Sequence, residues 1–243
     1  MRFRHFIFLA ALFLAAEISR AASPDDFFAQ GIQLGRAGQF PEAAAAFENS
    51  VKQKPSSGAL LNLGVAEWRR GRAGAAVLAW ERARWIDPFD PRAAGNLKFA
   101  RAVAQVDEPQ LNWSEAASLW LPPDAWVWLA GASLWLAAGA LTLPKFFRRR
   151  KSGWQQALAA AGLGIFLASM MANVGVVSRT NLGFVVKKNA PLLLTPTREG
   201  ELISTLGAGE PARKLWARGD YFFIRAANGT GWIERGAFGL VNE

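Results

Sequence analysis

Two apolar runs, Ala125–Leu143 and Ala157–Val177, constrain this chain more than any other feature. Each is about 20 residues long and free of Asp, Glu, Lys and Arg; at ~1.5 Å per helical residue, that length matches the ~30 Å hydrocarbon layer of a bilayer. The runs predict two transmembrane helices, 124–143 and 154–178, arranged as a hairpin. The competing reading, a buried core hairpin of a soluble domain, seldom contains uncharged runs of this length. Trp120, Trp126, Trp128 and Trp154 fall near the predicted boundaries, where amphipathic indoles are enriched.

The loop 145–153 sets the orientation. Lys145, Arg148, Arg149, Arg150 and Lys151 lie close to both helix ends with no acid among them, the bias that retains a short loop in the cytoplasm. Both flanks are then extracytoplasmic, and the loop itself suits anionic lipid or a partner's acidic surface. Residues 1–22 give the same topology: Arg2 and Arg4, an apolar stretch Phe6–Ala16, and Ser19-Arg20-Ala21 form the three parts of a secretory signal. Small residues Ala157, Ala160, Gly164, Ala168 and Ala172 make a stripe that lets another helix approach, either within the hairpin or from an external membrane protein.

Composition narrows the function. Of the net charge of +9 on 243 residues, five positive charges sit in the loop and a net +2 in residues 1–21, which removes most of the case for nucleic acid. With no Cys, and one His (His5) in the signal segment, the exported chain has no material for a Cys/His zinc site or a His-based nucleophilic triad. Glu199, Glu201, Glu210, Asp220 and Glu234 remain as carboxylates, scattered without an acid/base pair. No enzyme activity and no cofactor is expected.

Residues 24–106 repeat themselves. Gly31, Gly38, Ala43, Phe47, Ser50 and Pro55 are followed 33 residues later by Gly64, Gly71, Ala76, Trp80, Ala83 and Pro88. Small residues where two helices touch, an aromatic filling the gap and a closing proline describe a helix-turn-helix unit. These residues, with Leu63-Gly64, resemble two tetratricopeptide repeats, and Asp90–Leu97 opens a third helix, to about Val106, that caps them. The resemblance implies a peptide-binding groove on the first helix of each unit. There, Asn62 and Asn96 are placed to hold a ligand backbone, and Arg36 and Arg69 to make the groove basic. In the other reading, the Asn side chains brace neighbouring helices and the Arg side chains are solvated.

Residues 107–123 read as a linker with a short interfacial helix starting near Ser114, anchored by Trp113 and Trp120 and broken at Pro122-Pro123. After Arg179 the pattern turns to β: six strand-like runs in residues 184–243, among them Tyr221–Arg225 and Gly231–Glu234 joined by Asn228-Gly229, a hairpin signal. Six short strands in this length predict a small barrel. The order resembles a bacterial SH3-like domain, which implies peptide or cell-wall binding through Trp216, Tyr221 and Trp232; filling the barrel core is the alternative for each.

The expected fold is thus a multidomain membrane protein: all-α tetratricopeptide repeats, two transmembrane helices and a C-terminal all-β SH3-like barrel. This order resembles BatE-type proteins of the bacterial aerotolerance (Bat) operon. The resemblance implies a non-catalytic adaptor at the inner membrane, both soluble domains on the periplasmic side, working beside von Willebrand factor A-domain membrane proteins and a MoxR-type ATPase in envelope stress tolerance. A cell-wall-binding protein or wall-processing accessory, held by the SH3-like domain on a peptidoglycan or peptide ligand, is the alternative.

Overall fold

The computed structural model describes residues 23–146 and 153–242. The expected signal segment, 1–22, and Arg148, Arg149, Arg150 and Lys151 of the basic loop lie outside the described residues. Five helices come first: α1 (Pro24–Arg36), α2 (Phe40–Gln53), α3 (Ser57–Arg69), α4 (Ala73–Ile86) and α5 (Pro91–Ala104). Their starts are written in the sequence. Ser23 and Asp26 form a reciprocal capping box ahead of Pro24, Ser56 accepts from the Ala59 N–H, and Asp90 accepts from the Arg92 N–H ahead of Pro91.

The 33-residue period has a packing cause. A Cβ on Gly31 would stand 2.6 Å from the Phe47 ring, and one on Gly64 would collide with Trp80. In both units the first helix therefore gives up a side chain so that the aromatic of the second can lie against it. Trp80 also donates its indole N–H to the Leu61 carbonyl at 3.1 Å. Gly38 and Gly71 close the turns at φ +75° and +80°, which Cβ-bearing residues disfavour. Helix α5 covers α4 with Ala93, Leu97 and Ala100, all buried.

Helices α6 (Trp113–Ser118), α7 (Pro123–Phe146) and α8 (Gly153–Arg179) follow, with Lys145 in the last turn of α7. Both α7 and α8 are long and apolar enough to cross a membrane, and only 22% of the most apolar window of each is buried. A core helix of a soluble domain would be mostly covered; here Trp128, Trp135, Leu163 and Leu167 are exposed. The two helices meet where a Cβ on Gly162 would lie 2.9 Å from the Ser133 carbonyl and 3.2 Å from the Ala137 methyl. The expected small-residue stripe is not that contact: Ala157, Ala160, Gly164 and Ala168 are exposed, and only Ala172 of the five is buried.

The C-terminal strands are β1 (Leu182–Val185), β2 (Ala190–Leu193), β3 (Leu202–Leu206), β4 (Pro211–Arg218), β5 (Tyr221–Ala226), β6 (Gly229–Glu234) and β7 (Phe238–Leu240). They form one antiparallel sheet in the order β3-β2-β6-β5-β4-β1-β7. Strand β7 was not expected; it follows a 3-10 turn at Arg235–Ala237 and pairs with β1. The sheet is open, with β3 and β7 as edges, so the closed barrel expected from strand count is not formed.

Repeats and sheet share a core. Leu60, Val77, Leu78, Trp80 and Leu97 cluster with Leu182, Phe184 and Val241. Gly74 of α4 lies against the Val185 and Val186 carbonyls, Leu78 fills the space beside Gly239, and Arg82 Nε donates to the Leu240 carbonyl at 2.9 Å. The sheet thus covers the second helix of repeat two and leaves the first-helix side, α1, α3 and α5, open.

Candidate functional site

On that open side, α3 and α5 enclose a groove of about 450 Å³ lined by Val65, Trp68, Arg69, Trp80, Asn96 and Phe99. Its floor is aromatic: Trp68 lies 6.0 Å from Trp80 and meets Phe99 edge-on at 5.6 Å between ring centroids. Val65 (39% exposed) and Phe99 (56%) stand on its rim with Arg69, which is exposed, and Asn96, which is half-buried. An aromatic floor with one cation and one amide at the edge can seat an apolar side chain while the polar groups hold the flanking backbone or a carboxylate.

The structure brings Arg69 and Asn96 together here and does not bring Arg36 or Asn62 to them. Asn62 turns back along its own helix, its Nδ2 donating to the Gly58 carbonyl at 2.8 Å. Arg36 is exposed in the last turn of α1. Sequence reasoning missed Val65, Trp68 and Phe99. The signal was there: Val65 and Phe99 follow Asn62 and Asn96 by three residues, the spacing that places side chains on one helix face.

On the outer face of the sheet, Trp216, Phe223 and Trp232 stand in one cross-strand row. Trp216 stacks on Phe223 at 4.7 Å with an 11° tilt, and Phe223 meets Trp232 at 5.0 Å. Tyr221 lies one row away, between Arg218 and Glu234. Trp216 is 57% exposed, whereas Tyr221, Phe223 and Trp232 are half-buried. None of the four fills the core, which is built by Phe222, Ile224 and Ile233 on the opposite face.

A third cluster joins the parts. Glu115 of α6 is 0% exposed and receives Arg213 of β4 bidentately, both bonds 2.7 Å. It also accepts from the Ser178 hydroxyl of α8 and from the Asn112 N–H that its capping box closes. Burial works against its charge, yet the Arg213 guanidinium, the Ser178 hydroxyl and the Asn112 N–H hold its carboxyl below the ordinary carboxylate range. Beside it Arg179, 6% exposed, donates to the Ser118 hydroxyl at 3.1 Å and lies 4.8 Å from the Trp85 ring of α4. One carboxylate therefore ties the linker helix, the end of α8 and the sheet, and Arg179 ties the repeats to the same point.

A separate cleft of about 790 Å³ between repeats and sheet carries both signs of charge, with Arg72, Lys187, Lys188, Asp107 and Glu210 in its lining. Among the described residues no group of three His, Cys, Asp or Glu gathers to hold a metal ion.

Residues 28–91 match the tetratricopeptide repeat family model. The match begins inside α1 and ends at the first residue of α5, so it spans two helix pairs and the start of the helix that closes the groove. No curated protein matches the chain.

Proposed function

We propose that this chain is a membrane-anchored, non-catalytic adaptor whose repeats hold a segment of an envelope protein in the α3–α5 groove. The observation that carries the reading is the division of the repeat surface. The sheet and the end of α8 occupy the second-helix side, and the first-helix side keeps a groove lined by Trp68, Phe99, Arg69 and Asn96. Repeats matching this family act in protein–protein contact, and α7 and α8 supply the anchor.

The finer assignment rests on the order of parts. The Bat-type resemblance names von Willebrand factor A-domain membrane proteins and a MoxR-type ATPase as the partners, with repeats and sheet on the periplasmic side of the inner membrane. The test is crosslinking in intact cells, detergent extraction and affinity capture of the tagged full chain, followed by mass spectrometry. Wild type should recover von Willebrand-type membrane proteins, and Arg69→Glu or Asn96→Ala should lose them without loss of the chain itself. Recovery unchanged in both variants would remove the groove from the account; recovery of wall fragments alone would favour the wall-binding alternative.

A further inference from the structure

We infer that the β4–β5 hairpin is a second membrane contact of this chain: its tip rests on the headgroup layer of an anionic bilayer, with Trp216 as the interfacial anchor and Arg218 on the lipid phosphates. The inference rests on the reading of α7 and α8 as membrane-spanning.

Helix α4 runs beside β1, with Gly74 against Val185 and Val186 at one end and Trp85 over Arg179 at the other. At ~1.5 Å per residue those ends are about 16 Å apart, so β1 leads away from the end of α8. Strand β4 pairs antiparallel with β1 and therefore returns toward it, Arg213 opposite Leu182. The Lys214 N–H then donates to the Asn181 carbonyl at 2.8 Å, two residues past the end of α8. Leu215–Arg218 continue past that level with no β1 partner, reaching about 13 Å farther at ~3.3 Å per residue.

The level itself is interfacial. Measured from Trp154 at the opposite boundary, about 30 Å of α8 is used by Val174, which leaves Gly175–Arg179 among the headgroups. Helix α6 packs there, the Ser114 backbone against Gly175, and Trp113 at its start and Trp120 just beyond its end are 68% and 74% exposed.

The chemistry of the tip fits that place. Leu215 and Trp216 are exposed at 36% and 57%, and Tyr221 with Arg218 stands in the row next to the Trp216–Phe223–Trp232 stack. Exposed indole with arginine at its edge is the composition of a headgroup-level anchor. Around it Arg218, Arg235 and Lys187, whose Nζ pairs with Glu234 at 3.0 Å, outnumber Asp220 and Glu234, which favours anionic lipid. Arg235 braces the turn, its Nε donating to the Gly219 carbonyl at 2.9 Å while its guanidinium lies 4.6 Å from the Phe222 ring.

The chain has no cysteine, so single cysteines report without background. Full-length protein in nanodiscs of phosphatidylcholine with phosphatidylglycerol carries a nitrobenzoxadiazole probe at Ala217→Cys, Leu134→Cys or Arg198→Cys, and quenching by headgroup spin-labelled and acyl spin-labelled lipid is compared. The expected result is headgroup quenching at 217 at least about twofold above that at 198, reduced when Arg218→Glu is added or phosphatidylglycerol is left out. Quenching at 217 equal to that at 198, with Leu134→Cys quenched by acyl label, overturns this inference alone. A Leu134→Cys probe that no lipid quenches overturns the membrane-spanning reading and the inference with it. Shielding of the 217 probe by soluble peptidoglycan fragments and not by lipid assigns the face to the wall and also overturns it.

Discussion

Replacing Glu115 should do more damage than any substitution at an exposed acid of this chain. Its carboxylate is 0% exposed and meets Arg213 through two 2.7 Å bonds, with the Ser178 hydroxyl and the Asn112 N–H as further donors. Glu115→Ala leaves the guanidinium facing a cavity and opens the cap of α6. Removing one partner of a buried pair costs about 3 to 5 kcal/mol, and because the Arg213 side chain retains 30% of its exposure the lower end applies, about 3 kcal/mol. For a chain of this size that is a fall of about 6 to 12 °C in unfolding midpoint. The assay is thermal unfolding of the full chain in detergent micelles, followed by tryptophan fluorescence. Arg213→Gln alone strands the buried carboxylate and should cost at least as much. The double variant Glu115→Gln/Arg213→Gln should recover about 1 to 3 kcal/mol relative to the sum of the singles. Strict additivity, or single variants that melt with wild type, would refute the argument that this pair locks the linker helix, α8 and the sheet together.

Acid should act through the same group. Its folded pKa lies below the ordinary value, so the stability it supplies is present above the unfolded carboxylate pKa, about 4.3, and is lost as pH falls from there toward the folded value. Between pH 5 and pH 3 the wild-type midpoint should drop more than that of Glu115→Gln; parallel curves would contradict it. Gly64→Val forces a side chain into the Trp80 ring and should destabilise by about 1 to 3 kcal/mol in the same melt, whereas Gly35→Ala, whose new methyl would find its nearest neighbour 4.0 Å away, should stay within about 0.5 kcal/mol. Phe99→Ala, at a side chain 56% exposed, should leave the midpoint within about 3 °C yet weaken capture of the groove partner at least about fivefold, read by affinity capture from crosslinked cells.

The repeats were the most legible part because their signal is steric: Gly31 with Phe47 and Gly64 with Trp80 are obligatory partners, and obligatory partners recur at a fixed spacing. The apolar helices were legible by length and the absence of charge. The choice of contact within the hairpin was not, since Ala160, Gly164 and Ala168 are as small as Ala159 and Gly162, and only the rotation of α8 decides which side meets α7. Strand β7 was hidden because Phe238-Gly-Leu240 is three residues long and follows a 3-10 turn, too short for alternation to register. Half of the expected groove set came together, Arg69 and Asn96, because a repeat position fixes a face but not the rotamer; Asn62 spends its amide on Gly58. Glu115 lies in a stretch where the sequence shows no more than a short helix starting near Ser114. Its role depends on Arg213, 98 residues away, and no local pattern announces that pairing.

The central claim is that the α3–α5 groove is the working face of the repeats at the membrane. It is tested most directly by photo-crosslinking in intact cells with benzoylphenylalanine in place of Phe99, and in place of Lys52 on the opposite, second-helix side as the control. The account predicts one discrete adduct from position 99 that contains a von Willebrand-type membrane protein, lost when Arg69→Glu is added, and no such adduct from position 52. The same adduct from both positions, or an adduct at position 99 indifferent to Arg69→Glu, would contradict it.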